Sequence, residues 1–134
     1  KIQENLKIKK INLENNYEKV EKLIKNLKKI THDYKKKNKK IAVWGAGHRT
    51  LALLSIARIT EIAFIVDSAD FKQGKYSPVM HSKIVSPDVL AKSDVDIIIV
   101  MVPGLYPDEV VKTIRSYSRP FDIYKLQDNK LLSL

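Results

Sequence analysis

The sequence predicts an α/β fold: a mostly parallel sheet with flanking helices, preceded by a long N-terminal helix. Three observations point to it. From residue 40 onward, short apolar runs alternate with helix-patterned stretches. The run Ile97-Ile98-Ile99-Val100 is apolar at every position, as in a strand covered on both faces. Before residue 40 the apolar residues recur every three or four positions, the spacing of a one-sided helix. Strands that alternate with helices build parallel sheets with crossover connections, and the expected architecture is Rossmann-like.

Residues 1–13 read either as a strand remnant or as a frayed lead-in. A helix is predicted from Asn15, with Tyr17, Val20, Leu23, Ile24, Leu27, Ile30 and Tyr34 on one stripe. The lysine run 35–40 suits the negative end of its dipole, and Asn38 suits the left-handed residue that closes it. Ile41–Trp44 reads as the first strand and Gly47–Arg58 as a helix. Ile62–Val66 reads as the second strand, followed by a polar loop over 68–78 and a short strand over Ser82–Val85. Ser86, Pro87 and Asp88 are suited to the N-cap, first position and first turn of a short helix. Val95–Val102 is the most hydrophobic strand. A helix then opens at Pro107-Asp108-Glu109, and Phe121–Leu126 is the last strand, the remainder reading as a tail. Residues 1–39 form a basic helical arm or linker, and residues 40–134 a nucleotide-binding domain.

At 134 residues and 44% hydrophobic content, the chain is sized for one core. No stretch approaches the roughly 18 consecutive apolar residues of a membrane span, and no apolar segment follows the basic start as in a secretory signal. No membrane partner is expected, and the expected location is cytoplasmic. The absence of cysteine excludes disulfides and thiolate metal sites. The chain begins at Lys1 and not Met, and is read as a piece of something longer. The net charge of +10 suggests nucleic acid, but its distribution does not. Residues 1–40 hold 14 lysines against 5 acidic residues, whereas residues 41–134 hold 11 basic against 10 acidic ones. A nucleic-acid-binding fold carries its basic face on the folded body. The arm reads instead as a solvated, lysine-rich helix, and no nucleic-acid partner is expected.

The first candidate site is Gly45-Ala46-Gly47-His48-Arg49-Thr50, between a strand and a helix. A GxGxxG-type turn lets the chain bend tightly, brings backbone close to a phosphate and packs helix against strand. The helix N-terminus then presents free N–H groups to an anion. Thr50 stands where the third glycine would be, and its hydroxyl is a candidate phosphate ligand. The plain alternative is a tight turn with no ligand. Asp67, at the end of the second strand, is placed as an acidic residue that accepts hydrogen bonds from a ribose or a base, or is simply a surface aspartate. The loop Lys72-Gln73-Gly74-Lys75-Tyr76, followed by Pro78 and His81, offers two lysines and a tyrosine to a diphosphate or sugar, or is an ordinary polar loop. His32, His48 and His81 are scattered without ligand spacing, so no metal site is expected. No nucleophilic triad stands out. Asp94 and Asp96 read as solvated residues flanking a buried strand, and no catalytic residue is assigned.

These residues carry a family resemblance. The stretch Ile41–Gly47, Asp67, the loop from Lys72 through His81 to Ile84, and Ser86-Pro87 resemble the C-terminal domain of sugar C-methyltransferases. The resemblance covers residues from about 15 to 126, and the loop Lys72–His81 is its most specific part. It implies a Rossmann-like domain that helps hold a nucleotide-linked sugar, in polysaccharide or deoxysugar biosynthesis. It further implies an upstream zinc-binding domain and a central S-adenosylmethionine domain that supplies the methyl donor and the main catalytic base. On that reading this domain binds no cofactor itself, its partners are a nucleotide sugar and the upstream domain, and the fragment alone is inactive. The sequence departs from the family at Val79, where the family has glycine, and at Pro103-Gly104-Leu105, where it has Pro-Trp-Asn; the acidic pair Asp108-Glu109 is kept.

In the nucleotide-sugar reading, backbone N–H groups at Gly47 and His48, with Arg49, hold the diphosphate. Asp67 holds the ribose or base, and Lys75, Tyr76 and His81 face the sugar. Two other classes fit parts of the pattern. One is an NAD(H)-binding redox or sensor module, against which Thr50 and the lack of a second mononucleotide-binding half count. The other is a non-catalytic interaction domain, a homodimer through the N-terminal helix, whose stripe spans fewer than three heptads.

Overall fold

The computed structural model describes residues 2–77, 81–104 and 106–134, with only the backbone of Asn12. Val79 and Leu105, on which the family departures in part fall, lie outside the described residues, as do Pro78 and Met80.

Helix α1 spans Ile2–Lys36, 35 residues, or about 52 Å at 1.5 Å per residue. It begins well before the expected Asn15, because neither glycine nor proline occurs before Gly45 to interrupt it. It ends as the lysine run suggested: Asn38 has φ 56°, Asn38 N–H donates to Lys35 O and Lys39 N–H to Tyr34 O, both at 2.9 Å. Those paired bonds satisfy the last carbonyls of the helix in a Schellman closure.

Strands β1 (Ile41–Trp44), β2 (Ile65–Val66), β3 (Ile84–Val85), β4 (Ile97–Val100), β5 (Asp122–Gln127) and β6 (Lys130–Ser133) form one sheet in the order β3-β2-β1-β4-β5-β6. All neighbours are parallel except β5 and β6. Helix α2 (His48–Ile56) connects β1 to β2, α3 (Pro87–Ala91) follows β3, and α4 (Tyr106–Arg115) connects β4 to β5. The second strand is shorter than Ile62–Val66 because the chain bends at Ala63, although Ala63 N–H still reaches Ile41 O at 2.8 Å. The expected tail is instead β6. Asp128 and Asn129 both take positive φ, 50° and 60°, which is the signature of a two-residue type I′ hairpin.

The strands divide their side chains between two cores. Ile41, Val43, Ile97 and Ile99 face Leu53 and Leu54 of α2 and Leu23, Leu27 and Ile30 of α1. Ala42, Trp44, Ile98 and Val100 face Leu90 of α3 and Val111 and Ile114 of α4. Burial on both faces explains why β1 and β4 are apolar at every position. The boundary expected at residues 39/40 therefore does not separate two packing units, since the C-terminal half of α1 belongs to the first core. The described side chains of its N-terminal half are exposed, including Ile2, Leu6, Leu13 and Tyr17. Asp94 and Asp96 brace the start of β1: Asp96 accepts the Lys40 N–H at 2.8 Å, and Lys40 beside Asp94 holds its carboxyl below the usual range. No helix among the described residues is long and apolar enough to cross a membrane.

Candidate functional site

Strand β1 ends against β4, and this contact dictates the turn that follows. Gly45 has φ +123°, and a Cβ there would lie 2.9 Å from the Met101 carbonyl oxygen and 3.2 Å from Val102 Cγ1. Only glycine meets both demands. Gly47 is the N-cap of α2, in extended conformation and without a side-chain cap. A Cβ on it would meet nothing within 4 Å, so the space in front of the helix is open. Leu51 N–H donates to Gly47 O at 3.0 Å. The N–H groups of His48, Arg49 and Thr50 precede this first intrahelical donor, as at any helix start, and they sit at the positive end of the helix dipole.

Neighbouring side chains hold this turn. Asp67 Oδ2 accepts the Ala46 N–H at 2.9 Å, and its Oδ1 accepts the Ala69 N–H at 2.9 Å. Lys72 Nζ lies 3.7 Å from Asp67 Oδ2 and donates to Ala46 O at 3.4 Å. Asp67 thereby staples the end of β2 to the glycine turn, each carboxylate oxygen accepting one backbone N–H. Thr50 is buried and its hydroxyl donates to Met101 O at 2.9 Å, which ties α2 to β4.

The turn opens into a crevice of two adjoining chambers. The first, about 370 Å³, is lined by Gly45 to Thr50, Asp67 and Lys72, and by the apolar Leu53, Met101, Val102, Pro103 and Leu126. The second, about 500 Å³, shares Arg49, Val102, Pro103 and Leu126 with the first. It adds Asp108 from α4, Lys125 and Gln127 from β5, and Asp128 and Asn129 from the hairpin turn. The Arg49 guanidinium donates to Asn129 Oδ1 between them. Lys125 Nζ lies 2.9 Å from Asp108 Oδ1. The crevice lies past the carboxyl ends of β1, β4 and β5, where the strand order reverses between β1 and β4. Open α/β sheets bind ligands at such a switch point, and both volumes fall in the usual range for small-molecule sites.

The structure brings together Gly45, Ala46, Gly47, His48, Arg49, Thr50, Asp67 and Lys72 around the first chamber. It does not bring Gln73, Lys75, Tyr76 or His81 to either chamber. The Gln73 amide donates to the Asp67 carbonyl at 2.9 Å and so shapes the loop. Tyr76 bridges to Lys83 beside β3, and His81, with φ 53°, donates its N–H to Ser77 O at 3.0 Å. Lys75, Tyr76 and His81 are exposed on that edge, away from the switch point. Sequence reasoning missed Lys125, Gln127 and Asn129, because it took the hairpin for a tail; the Asp128-Asn129 pair between two apolar segments was the available signal. Among the described residues no group of three His, Cys, Asp or Glu side chains is arranged to hold a metal ion.

Fold and turn together define a Rossmann-like domain with its crevice at the switch point. The chain belongs to the C-methyltransferase C-terminal domain family, whose model matches residues 3–120. No curated protein matches it. In fold it is similar to UDP-D-quinovosamine 4-dehydrogenase from Vibrio fischeri, with a TM-score of 0.56 at 13% identity, over 72% of this chain and 93% of that one.

Proposed function

We propose that this chain is the substrate-binding domain of an S-adenosylmethionine-dependent C-methyltransferase, and that its ligand is a nucleotide-linked sugar. The observation that carries this reading is the open N-terminus of α2. The Gly45–Gly47 turn sets the first turn of α2, with open space beside its N-cap, in the wall of a crevice at the switch point, an arrangement suited to a diphosphate. Arg49 and Lys72 stand on either side of it as counter-charges. Membership of the C-methyltransferase family supports the reading, and the similar fold of an enzyme named for a UDP-sugar is consistent with it. S-adenosylmethionine and the catalytic base belong to an upstream domain that is the chain's partner. This domain's contribution is to hold the ligand, and fixed reactant geometry can lower a barrier by several kcal/mol.

Thermal unfolding with UDP-, TDP-, GDP- and CDP-sugars, NAD(H) and S-adenosylmethionine tests the proposal. A ligand present at about 100 times its Kd stabilises the fold by about 2.7 kcal/mol. One nucleotide-sugar class is expected to do so, and Arg49→Ala to weaken the effect. Stabilisation by NAD(H) alone overturns the proposal in favour of a redox module.

A further inference from the structure

We infer that the second chamber of the crevice, between the start of α4 and the β5–β6 turn, is a subsite for a neutral, polyhydroxylated glycosyl group. The inference rests on the reading above, because it assigns the part of the ligand that lies beyond the diphosphate. A ligand seated on the first turn of α2 extends to either side of Arg49, the charged residue among the four common to both chambers. The two sides differ in chemistry. The first chamber offers mainly apolar surface from Leu53, Met101 and Leu126 besides the turn itself. The second offers Asp108 as an acceptor, Lys125 as a donor, and Gln127 and Asn129 as both. Each sugar hydroxyl is both donor and acceptor, so a ligand of that kind meets this set in both directions. An apolar group there would desolvate the Lys125–Asp108 pair and the Gln127 amide without offering a replacing bond, which is unfavourable.

Charge favours a neutral sugar over a sugar acid. Lys125 and Arg49 are matched in the chamber by Asp108 and Asp128. Lys125 is already paired to Asp108, and Arg49 is bonded to Asn129. Lys125 is also held in place. The Lys125 side chain is 15% exposed and springs from the middle of β5, paired with Val100 on one side and Leu132 on the other.

Calorimetric titration of the chain with UDP and UDP-glucose, TDP and TDP-glucose, and GDP and GDP-mannose tests this. For one base, the sugar conjugate is expected to bind more tightly than the bare diphosphate. Gln127→Ala and Asp108→Ala, both at exposed positions, are each expected to cut that advantage by about 3- to 10-fold, the effect of one lost hydrogen bond. Equal binding of conjugate and diphosphate, unchanged in both variants, overturns the subsite and leaves the diphosphate reading intact. Tighter binding of UDP-glucuronate than of UDP-glucose overturns its neutral character. Binding of no nucleotide at all overturns the proposed function, and this inference with it.

Discussion

Gly45 and Gly47 are two residues apart in one turn and have different reasons to be glycine. At Gly45 the backbone angle and the approach of Met101 O both exclude a side chain. Gly45→Ala is therefore expected to cost at least about 1–3 kcal/mol from backbone strain, read as a lower urea midpoint. At Gly47, with φ −75° and open space in front, alanine should change stability by less than about 1 kcal/mol. The same methyl group would stand where a phosphate is expected, so Gly47→Ala should weaken nucleotide binding without weakening the fold. Unchanged binding in that variant would show that the ligand does not approach the turn. The pattern of glycines was legible in the sequence, but the division of roles between them was not. Which one touches β4 depends on Met101 and Val102, more than fifty residues away. Asp67 and Thr50 show the same limit. Tertiary contacts engage the carboxylate with the backbone at Ala46 and Ala69 and the hydroxyl with Met101, and no pattern of sequence neighbours reveals them.

Among elements, α1 shows how one periodic stripe can have two fates. Leu27 is buried in the first core, whereas Leu6, three heptads earlier on the same face, is exposed. Leu27→Ala is expected to destabilise the fold by about 2–5 kcal/mol, and Leu6→Ala by no more than about 0.5 kcal/mol, as measured by chemical denaturation. Equal effects would mean that the N-terminal half of the helix is also packed. Periodicity alone does not distinguish the halves, because a stripe says which face is apolar and not how far the sheet beneath it extends. The closing hairpin is the opposite case. Its local turn chemistry was present in Asp128-Asn129, and overlooking it hid Lys125, Gln127 and Asn129 from the candidate site.

For the whole molecule, the question is whether the basic arm is an appendage. Its charge suggests so, since residues 1–40 carry nearly all of the excess. Its packing does not. A chain beginning at residue 17 keeps Leu23, Leu27 and Ile30 and is expected to unfold cooperatively with stability changed by about 1 kcal/mol or less, because the described side chains among those removed are exposed. A chain beginning at residue 40 loses all three, at about 1.5–3 kcal/mol each. That sum is comparable with the entire stability of a small domain, so this shorter chain is expected not to fold. A cooperative urea transition for it would show that the sheet and its remaining helices suffice.

The sequence by itself determined the order of strands and helices as far as β5, the burial of β4 on both faces, and the presence of a glycine turn before a helix. These are properties of neighbouring residues, set by backbone sterics and by the period with which apolar side chains recur. Only the tertiary structure decided which residues share the crevice. It set Lys125 against Asp108 and Arg49 against Asn129, and left Lys75, Tyr76 and His81 at the edge beside β3. The reason is that strand order carries the chain from the middle of the sheet to one edge and back to the other. Residues close in sequence are thereby parted, and the ends of β1, β4 and β5, distant along the chain, come together at the switch point.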